Sequence, residues 1–158
     1  MSKFTHLDEN NQINMVDVSG KEITSRVAVA SGKIFLKSAY QKAKKNDLSK
    51  GDLLSTVKLS GIMAAKKTSE LIPLCHQIPL SSVKIETVWN NKFKSLEIIA
   101  TAKTNAQTGV EMEALTAVSV SLLTVYDMCK SIAKDMEIGN IQLQSKSGGK
   151  NGNYEKKN

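Results

Sequence analysis

An α+β sandwich, with an antiparallel sheet and helices packed on one of its faces, is the fold this sequence predicts. Three observations carry the prediction. Short segments alternate apolar and polar residues as half-buried strands do, longer ones repeat apolar residues every three or four positions as helices do, and a paired-asparagine turn joins two of the strands.

The first strand is RVAVASGKIFL, residues 26 to 36, where Val27, Val29 and, past Gly32, Ile34 and Leu36 alternate with small or polar residues; the glycine marks a bulge or turn. Helical readings follow over 37 to 46 and over 51 to 70, the second with Leu54, Val57, Ile62 and Ala65 at helical spacing and Pro73 as its stop. In VKIETVW, residues 83 to 89, Val83, Ile85, Thr87 and Trp89 share a face, as do Leu96, Ile98, Ala100 and Ala102 in the next run, with Asn90-Asn91 as the hairpin turn. The longest helix is expected from Glu111 to Ala133, striped by Met112, Leu115, Ser119, Leu122, Tyr126, Cys129 and Ala133, with Gly109 turning the chain ahead of it. A last strand near 138 to 144 alternates Ile141 and Leu143 before a glycine-rich end. Strand, helix, two strands, helix, strand is the βαββαβ order of ferredoxin-like folds.

The 158 residues suit one domain, 1 to 158, with a polar segment over 1 to 20 and a flexible lysine-rich tail over 151 to 158. No apolar run approaches the ~20 residues that cross a bilayer, so a membrane partner is not expected. The first residues lack the basic start and apolar middle of a secretory signal, and Cys75 and Cys129 are too few for a disulfide framework; a cytoplasmic protein with free thiols is expected. Lys and Arg number 22 against 15 Asp and Glu, a formal +7 that favours an anionic partner without choosing which.

LIPLCHQIPL, residues 71 to 80, sets a cysteine beside a histidine between two prolines. Zinc needs about four ligands, adjacent residues cannot both be well placed, and the other histidine, His6, lies in the polar start, so no metal is expected. As a nucleophile Cys75 would need a base in reach, and His76 points away from it if the segment is extended. Cys75 therefore reads as a packing residue, and His76 as either structural or facing a cleft. GIMAAKKT, residues 61 to 68, lacks the second glycine of a P-loop, although Lys66 or Lys67 could face a phosphate near the Cys-His loop. KSGGK, residues 146 to 150, could offer backbone N–H groups to an anion or be a flexible exit.

The long helix carries Glu111 and Glu113 at its start, and Asp127 one turn before Lys130 at its end. Carboxylates early and a lysine late suit the helix dipole. Glu113 and Asp127 return to nearly the same face yet lie about 21 Å apart at about 1.5 Å per residue, too far for one small-molecule pocket. If both serve one reaction, antiparallel helices from two subunits would have to bring them together.

With these residues assembled, the sequence resembles the MoaC family. The stretches that carry the likeness are MVDVSGKEITSRVAVA at 15 to 30, KGDLLSTVKLSGIMAAKKTSELIPLCH at 50 to 76, TGVEMEALTAVSVSLLTVYDMCK at 108 to 130 and KSGGK at 146 to 150. The resemblance implies a lyase of molybdenum cofactor biosynthesis that rearranges a cyclised dihydroguanosine triphosphate to a cyclic pyranopterin monophosphate with loss of pyrophosphate. It implies a ferredoxin-like subunit, a homohexamer built as a trimer of dimers, active sites at subunit interfaces and no cofactor. By position it makes Leu74, Cys75, His76, Met112, Glu113 and Glu111 substrate-binding, gives Arg26, Lys66 and Lys146 to the triphosphate and its neighbours, and makes Asp127, Lys130 and Lys50 catalytic.

The rival reading from charge and element order is a ferredoxin-like RNA-binding module. Such modules stack bases on strand aromatics, and SLEIIATAKT has none, so no nucleic-acid partner is expected.

Overall fold

The computed structural model describes residues 10 to 150 and 152 to 157. Its elements in chain order are β1 (Thr24–Phe35), a 3₁₀ turn (Lys37–Ala39), α1 (Tyr40–Lys44), α2 (Leu53–Lys66), α3 (Thr68–Leu71), β2 (Leu80–Asn90), β3 (Ser95–Ala106), α4 (Glu111–Cys129), β4 (Glu137–Ser147) and β5 (Tyr154–Glu155). The strands form one sheet in the order β2-β3-β1-β4-β5, every pairing antiparallel. With α2 and α4 on one face, the α+β ferredoxin-like expectation holds.

Small residues decide which face that is. Ala28, Ala30 and Ile34 of β1 pair with Ala102, Ala100 and Leu96 of β3, and all six are buried. A Cβ at Gly32 would stand 2.8 Å from both Leu122 Cδ1 and Val118 Cγ1, so the glycine lets α4 approach the strand. The register against β4 shifts between Ser31 and Lys33, which places the expected irregularity at this glycine. Val27 and Val29 are on the opposite face, half-buried, contrary to the alternation read from the sequence. That reading ranks larger side chains as the core, whereas close helix packing on the central strand requires small ones.

The same correction applies to the helices. α2 buries Leu53, Val57, Gly61, Ala64 and Ala65, while Leu54 and Ile62 are half-buried against the core. Asp52 caps it, Oδ1 accepting from the Ser55 amide at 2.7 Å, and Lys67 breaks it before α3 and Pro73. The expected helix over 37 to 46 is a 3₁₀ turn followed by five residues of α1. α4 ends at Cys129 rather than Ala133, where the Ile132 amide tightens onto the Cys129 carbonyl at 2.9 Å. Its buried side carries Ala114, Ala117, Val118, Ser121, Leu122 and Val125, with Met112 and Leu123 facing out.

α2 and α4 run in opposite senses. Ser121 Oγ donates to the Val57 carbonyl at 3.1 Å, a Cβ at Gly61 would collide with that hydroxyl, and Lys50 ahead of α2 meets Asp127 near the end of α4. Against the expectation that no run could cross a bilayer, α4 has the length and composition, at 19 residues and mean hydropathy 1.3. Of that stretch 56% is buried inside the fold, as in a core helix.

The turn between β2 and β3 spans Asn91 to Lys94, with the Phe93 amide donating to Asn90 Oδ1 at 3.0 Å. At the C-terminus the segment expected to be a loose tail turns back, and Tyr154 and Glu155 pair with Lys146 and Ser145. The positive φ values of Gly148 (91°), Gly149 (83°) and Gly152 (67°) permit that reversal. Lys156 extends it, its amide donating to the Gln144 carbonyl at 2.8 Å.

Candidate active site

β3 ends at Ala106 and, after four intervening residues, α4 begins on the helix-bearing face of the sheet. Val110 precedes the first turn without a side-chain cap, so that turn's N–H groups have no capping oxygen from it. The first turn instead carries Glu111 and Glu113, placed where the helix dipole favours negative charge. The Glu111 carboxylate folds back against Gly109, where a Cβ would collide with it, and accepts from Lys146 Nζ of β4 at 2.9 Å. Glu113 is 4% exposed; burial pushes its carboxyl up, and the Glu111 charge adds to that.

The Cys75-His76 loop lies against this turn. After α3 it is tightened by the Cys75 amide donating to the Ile72 carbonyl at 3.1 Å. His76 Nε2 stands 2.7 Å from the Val16 carbonyl, which fixes Nε2–H as the donor and leaves Nδ1 without a partner from that bond. Burial pushes the Cys75 thiol up, with Glu113 adding a smaller push, so Cys75 is a thiol and not an activated thiolate. A cavity of about 570 Å³ opens here, walled by Val16, Val18, Leu74, Cys75, His76, Met112 and Glu113.

A second cavity of about 560 Å³ adjoins it, and Lys21, Thr108, Gly109 and Glu111 line both. Its charged lining is Lys21, Arg26, Lys146 and Lys150 against Glu22 and Glu111, a net positive surface beside the helix N-terminus. Arg26 spends two donors on the lead-in to α4: Nε to the Ala106 carbonyl at 3.0 Å and Nη2 to the Gln107 carbonyl at 3.1 Å. Gly149 packs on that guanidinium and Gly148 on the Ser25 carbonyl, each so closely that a Cβ would collide. Thr24 Oγ1, in a residue lining this cavity, is the buried side-chain oxygen without a hydrogen-bond partner among the described residues.

At the far end of α4 stands a third group. Asp127 accepts from Lys50 Nζ at 2.6 Å through Oδ2 and from Lys130 Nζ at 2.7 Å through Oδ1. Lys130 and Lys50 hold its carboxyl down to about 2, and Asp127 in turn raises Lys130. All three side chains are exposed, and none lines either cavity.

The chain thus brings Leu74, Cys75, His76, Met112, Glu113 and Glu111 to one cavity, and Arg26, Lys146 and Glu111 to its neighbour. It does not bring Asp127, Lys130 and Lys50 to them, and Lys66 is exposed at the end of α2, lining neither. No group of three or more His, Cys, Asp and Glu suited to a metal occurs among the described residues, and His6 lies outside those residues. Lys21 and Gln107 were not singled out from the sequence. The faint signal for Lys21 was its place five residues before Arg26, ahead of a strand; Gln107 offered none.

The MoaC family model matches residues 15–149. A protein named cyclic pyranopterin monophosphate synthase from Helicobacter pylori (strain Shi470) is 51% identical over 155 residues, 98% of each chain. Proteins of the same name from Brevibacillus brevis and Geobacillus kaustophilus are each 49% identical, over 96% and 99% of this chain and 95% and 99% of their own.

Proposed function

The chain belongs to the MoaC family, and from that premise we propose that it is a cyclic pyranopterin monophosphate synthase, a lyase of molybdenum cofactor biosynthesis. It converts (8S)-3',8-cyclo-7,8-dihydroguanosine 5'-triphosphate to cyclic pyranopterin monophosphate and releases pyrophosphate. The observation that supports a division of labour is the pair of adjoining cavities at the start of α4, one walled by the Cys75-His76 loop, several apolar side chains and the buried Glu113, the other net cationic.

The cationic cavity takes the triphosphate. Lys146 and Lys150 supply charge, Arg26 braces the wall, and the uncapped first turn of α4 adds backbone donors. Neutralising the outer phosphates lowers the cost of expelling pyrophosphate. The ring system enters the neighbouring cavity, where Glu113 and His76 Nδ1 contact its polar edge, while Leu74, Cys75 and Met112 pack on it. Lys66 reaches the phosphates from the end of α2 only if the assembly brings it there.

Ring opening and reclosure need proton transfers, and Asp127 with Lys50 and Lys130 is the group fit for them. On an isolated chain this group stands in water with its charges locked by mutual pairing. Covering it would exclude water and strengthen the electrostatic coupling between Asp127 and the two lysines, so that a proton passes within the group and to the substrate rather than to solvent. We assign that cover to a second subunit, so that the partner's cavities face this chain's Asp127. This is the arrangement of a homohexamer, a trimer of dimers with active sites at interfaces.

The test is pyrophosphate release from the cyclised substrate by wild type, Asp127→Ala, Glu113→Ala and a one-to-one co-assembly of the two variants. Active wild type, two inactive variants and recovery of about a quarter of wild-type activity in random mixed assemblies support both reaction and shared site. Active wild type with an inactive mixture, despite verified mixing, removes the shared site. Inactive wild type removes the reaction.

A further inference from the structure

Between the two cavities runs a strap, Val16 to Lys21, that the reaction has not yet been given a use for. Val16 and Val18 wall the cavity at the Cys75-His76 loop, and Lys21 lines both cavities at their seam. Among the described residues the Lys21 side chain has no ion-pair partner. Apart from Val16 and Val18 the strap is exposed, so apolar burial does little to hold it.

Two kinds of bond hold it instead. Within the strap, the Ser19 amide donates to Asp17 Oδ1 at 2.8 Å and the Lys21 amide to the Val18 carbonyl at 3.0 Å, which folds it into a turn ending at Lys21. To the body it is tied by His76 Nε2–H on the Val16 carbonyl and by Gln107 Nε2, which donates to the Ser19 carbonyl at 3.1 Å. The Gln107 carbonyl is itself held by Arg26 Nη2 at 3.1 Å. Arg26, Gln107 and Ser19 thus form a chain of bonds from β1 to the strap.

We propose that Gln107 is a positioning residue: it clamps the strap through the Ser19 carbonyl and so holds the Lys21 ammonium at the seam, where Lys21 binds the phosphate nearest the ring system. The proposal rests on the reading of the two cavities as phosphate and ring subsites. A ligand that fills both must cross the seam, and Lys21 is the cation that lines both sides of it. A lysine on an exposed strap would spend affinity on ordering the strap if nothing clamped it beforehand, and Gln107 supplies the clamp.

The experiment is a double-mutant cycle on the full chain, with guanosine 5'-triphosphate as the probe and calorimetric titration as the readout. Lys21→Ala is expected to weaken binding roughly tenfold and Gln107→Ala roughly fivefold. The double variant is expected to stay near tenfold rather than fiftyfold, because Gln107 acts through Lys21. Gln107→Met keeps the size and removes the donor without adding charge to the cavity that Gln107 lines, so it should match Gln107→Ala; in turnover both should raise KM and leave kcat within about twofold. Multiplying effects, wild-type affinity in Gln107→Ala, or a wild type that binds no guanosine 5'-triphosphate would overturn the proposal. A wild type that binds the nucleotide but releases no pyrophosphate from the cyclised substrate would instead overturn the reaction, and the cycle would still decide the clamp.

Discussion

At its first turn α4 buries Glu113 beside a cavity, and burial pushes that carboxyl up; at its last turn it leaves Asp127 in solvent between two ammonium groups that hold it down to about 2. One helix therefore carries a carboxyl whose pKa is raised at one end and a carboxyl whose pKa is lowered at the other. The difference follows from surroundings and not from residue type. The start of α4 is enclosed by β1, β4 and the Cys75-His76 loop, whereas at its end the Asp127 side chain points into solvent, paired with Lys50 from the chain that enters α2. The first end is enclosed within one chain; the second has its ion-pair partners but stands open to solvent.

The largest expected effect breaks the open end. Asp127→Ala should lower pyrophosphate release by about 10²- to 10⁴-fold, the range of a lost acid or base. Being exposed, the residue should cost only a small drop in melting temperature at neutral pH, the loss of two solvent-screened ion pairs. A variant that loses activity together with its fold would make the group structural and erase the contrast between the ends.

Next comes the cationic cavity. Lys146→Ala removes a phosphate-facing charge and frees Glu111, leaving an uncompensated carboxylate where the triphosphate should sit. KM should rise roughly tenfold or more, with a smaller change in kcat and a weaker dependence on salt. An unchanged KM would move the triphosphate elsewhere.

The contrast itself is sharpened by pH. Glu113 keeps its proton above the ordinary value of 4.5, so the folded state binds more protons than the unfolded one there, and stability falls as pH rises from that value through the raised one. Glu113→Gln should abolish that fall and be the more stable chain at neutral and higher pH. Asp127 has the opposite sign: its contribution is present above 3.8 and lost as pH drops towards 2, so Asp127→Asn should flatten the acid limb, and salt should do the same. Denaturation midpoints measured across pH for both amides read the two ends separately. Slopes of the same sign would sink the account.

The two ends also differ in how much of them the sequence displayed. The hairpin at Asn90-Asn91, the element order and the positions of Glu113 and Asp127 were legible because they depend on local pattern and helical arithmetic. Faces were less so. Val27 and Val29 outrank Ala28 and Ala30 in hydrophobicity, yet the small residues are inside because α4 must come close to β1. In α4 likewise Ala114, Ala117 and Ser121 are buried while Met112 and Leu123 face out. The clamp was invisible for another reason. Gln107 and Ser19 stand 88 positions apart, and nothing in either residue's neighbours announces the pairing.

The smallest expected effect concerns the residue that first looks reactive. Burial and the charge of Glu113 both raise the Cys75 thiol, and burial alone lifts Cys129 to about 11, so neither is a ready nucleophile at neutral pH. A thiol that only packs tolerates a hydroxyl of similar size. Cys75→Ser should therefore keep turnover within about threefold of wild type, losing a little ring packing and nothing of the proton chemistry. Alkylation by iodoacetamide near pH 7 should be slow at both cysteines, and slower at the buried Cys129. A hundredfold loss in Cys75→Ser, or rapid alkylation of Cys75 blocked by guanosine 5'-triphosphate, would require a thiolate in the cavity. It would then follow that the first turn of α4 ionises a group that its burial disfavours as an ion, and the contrast between a buried carboxyl at one end of the helix and a solvated one at the other would no longer set the chemistry of each.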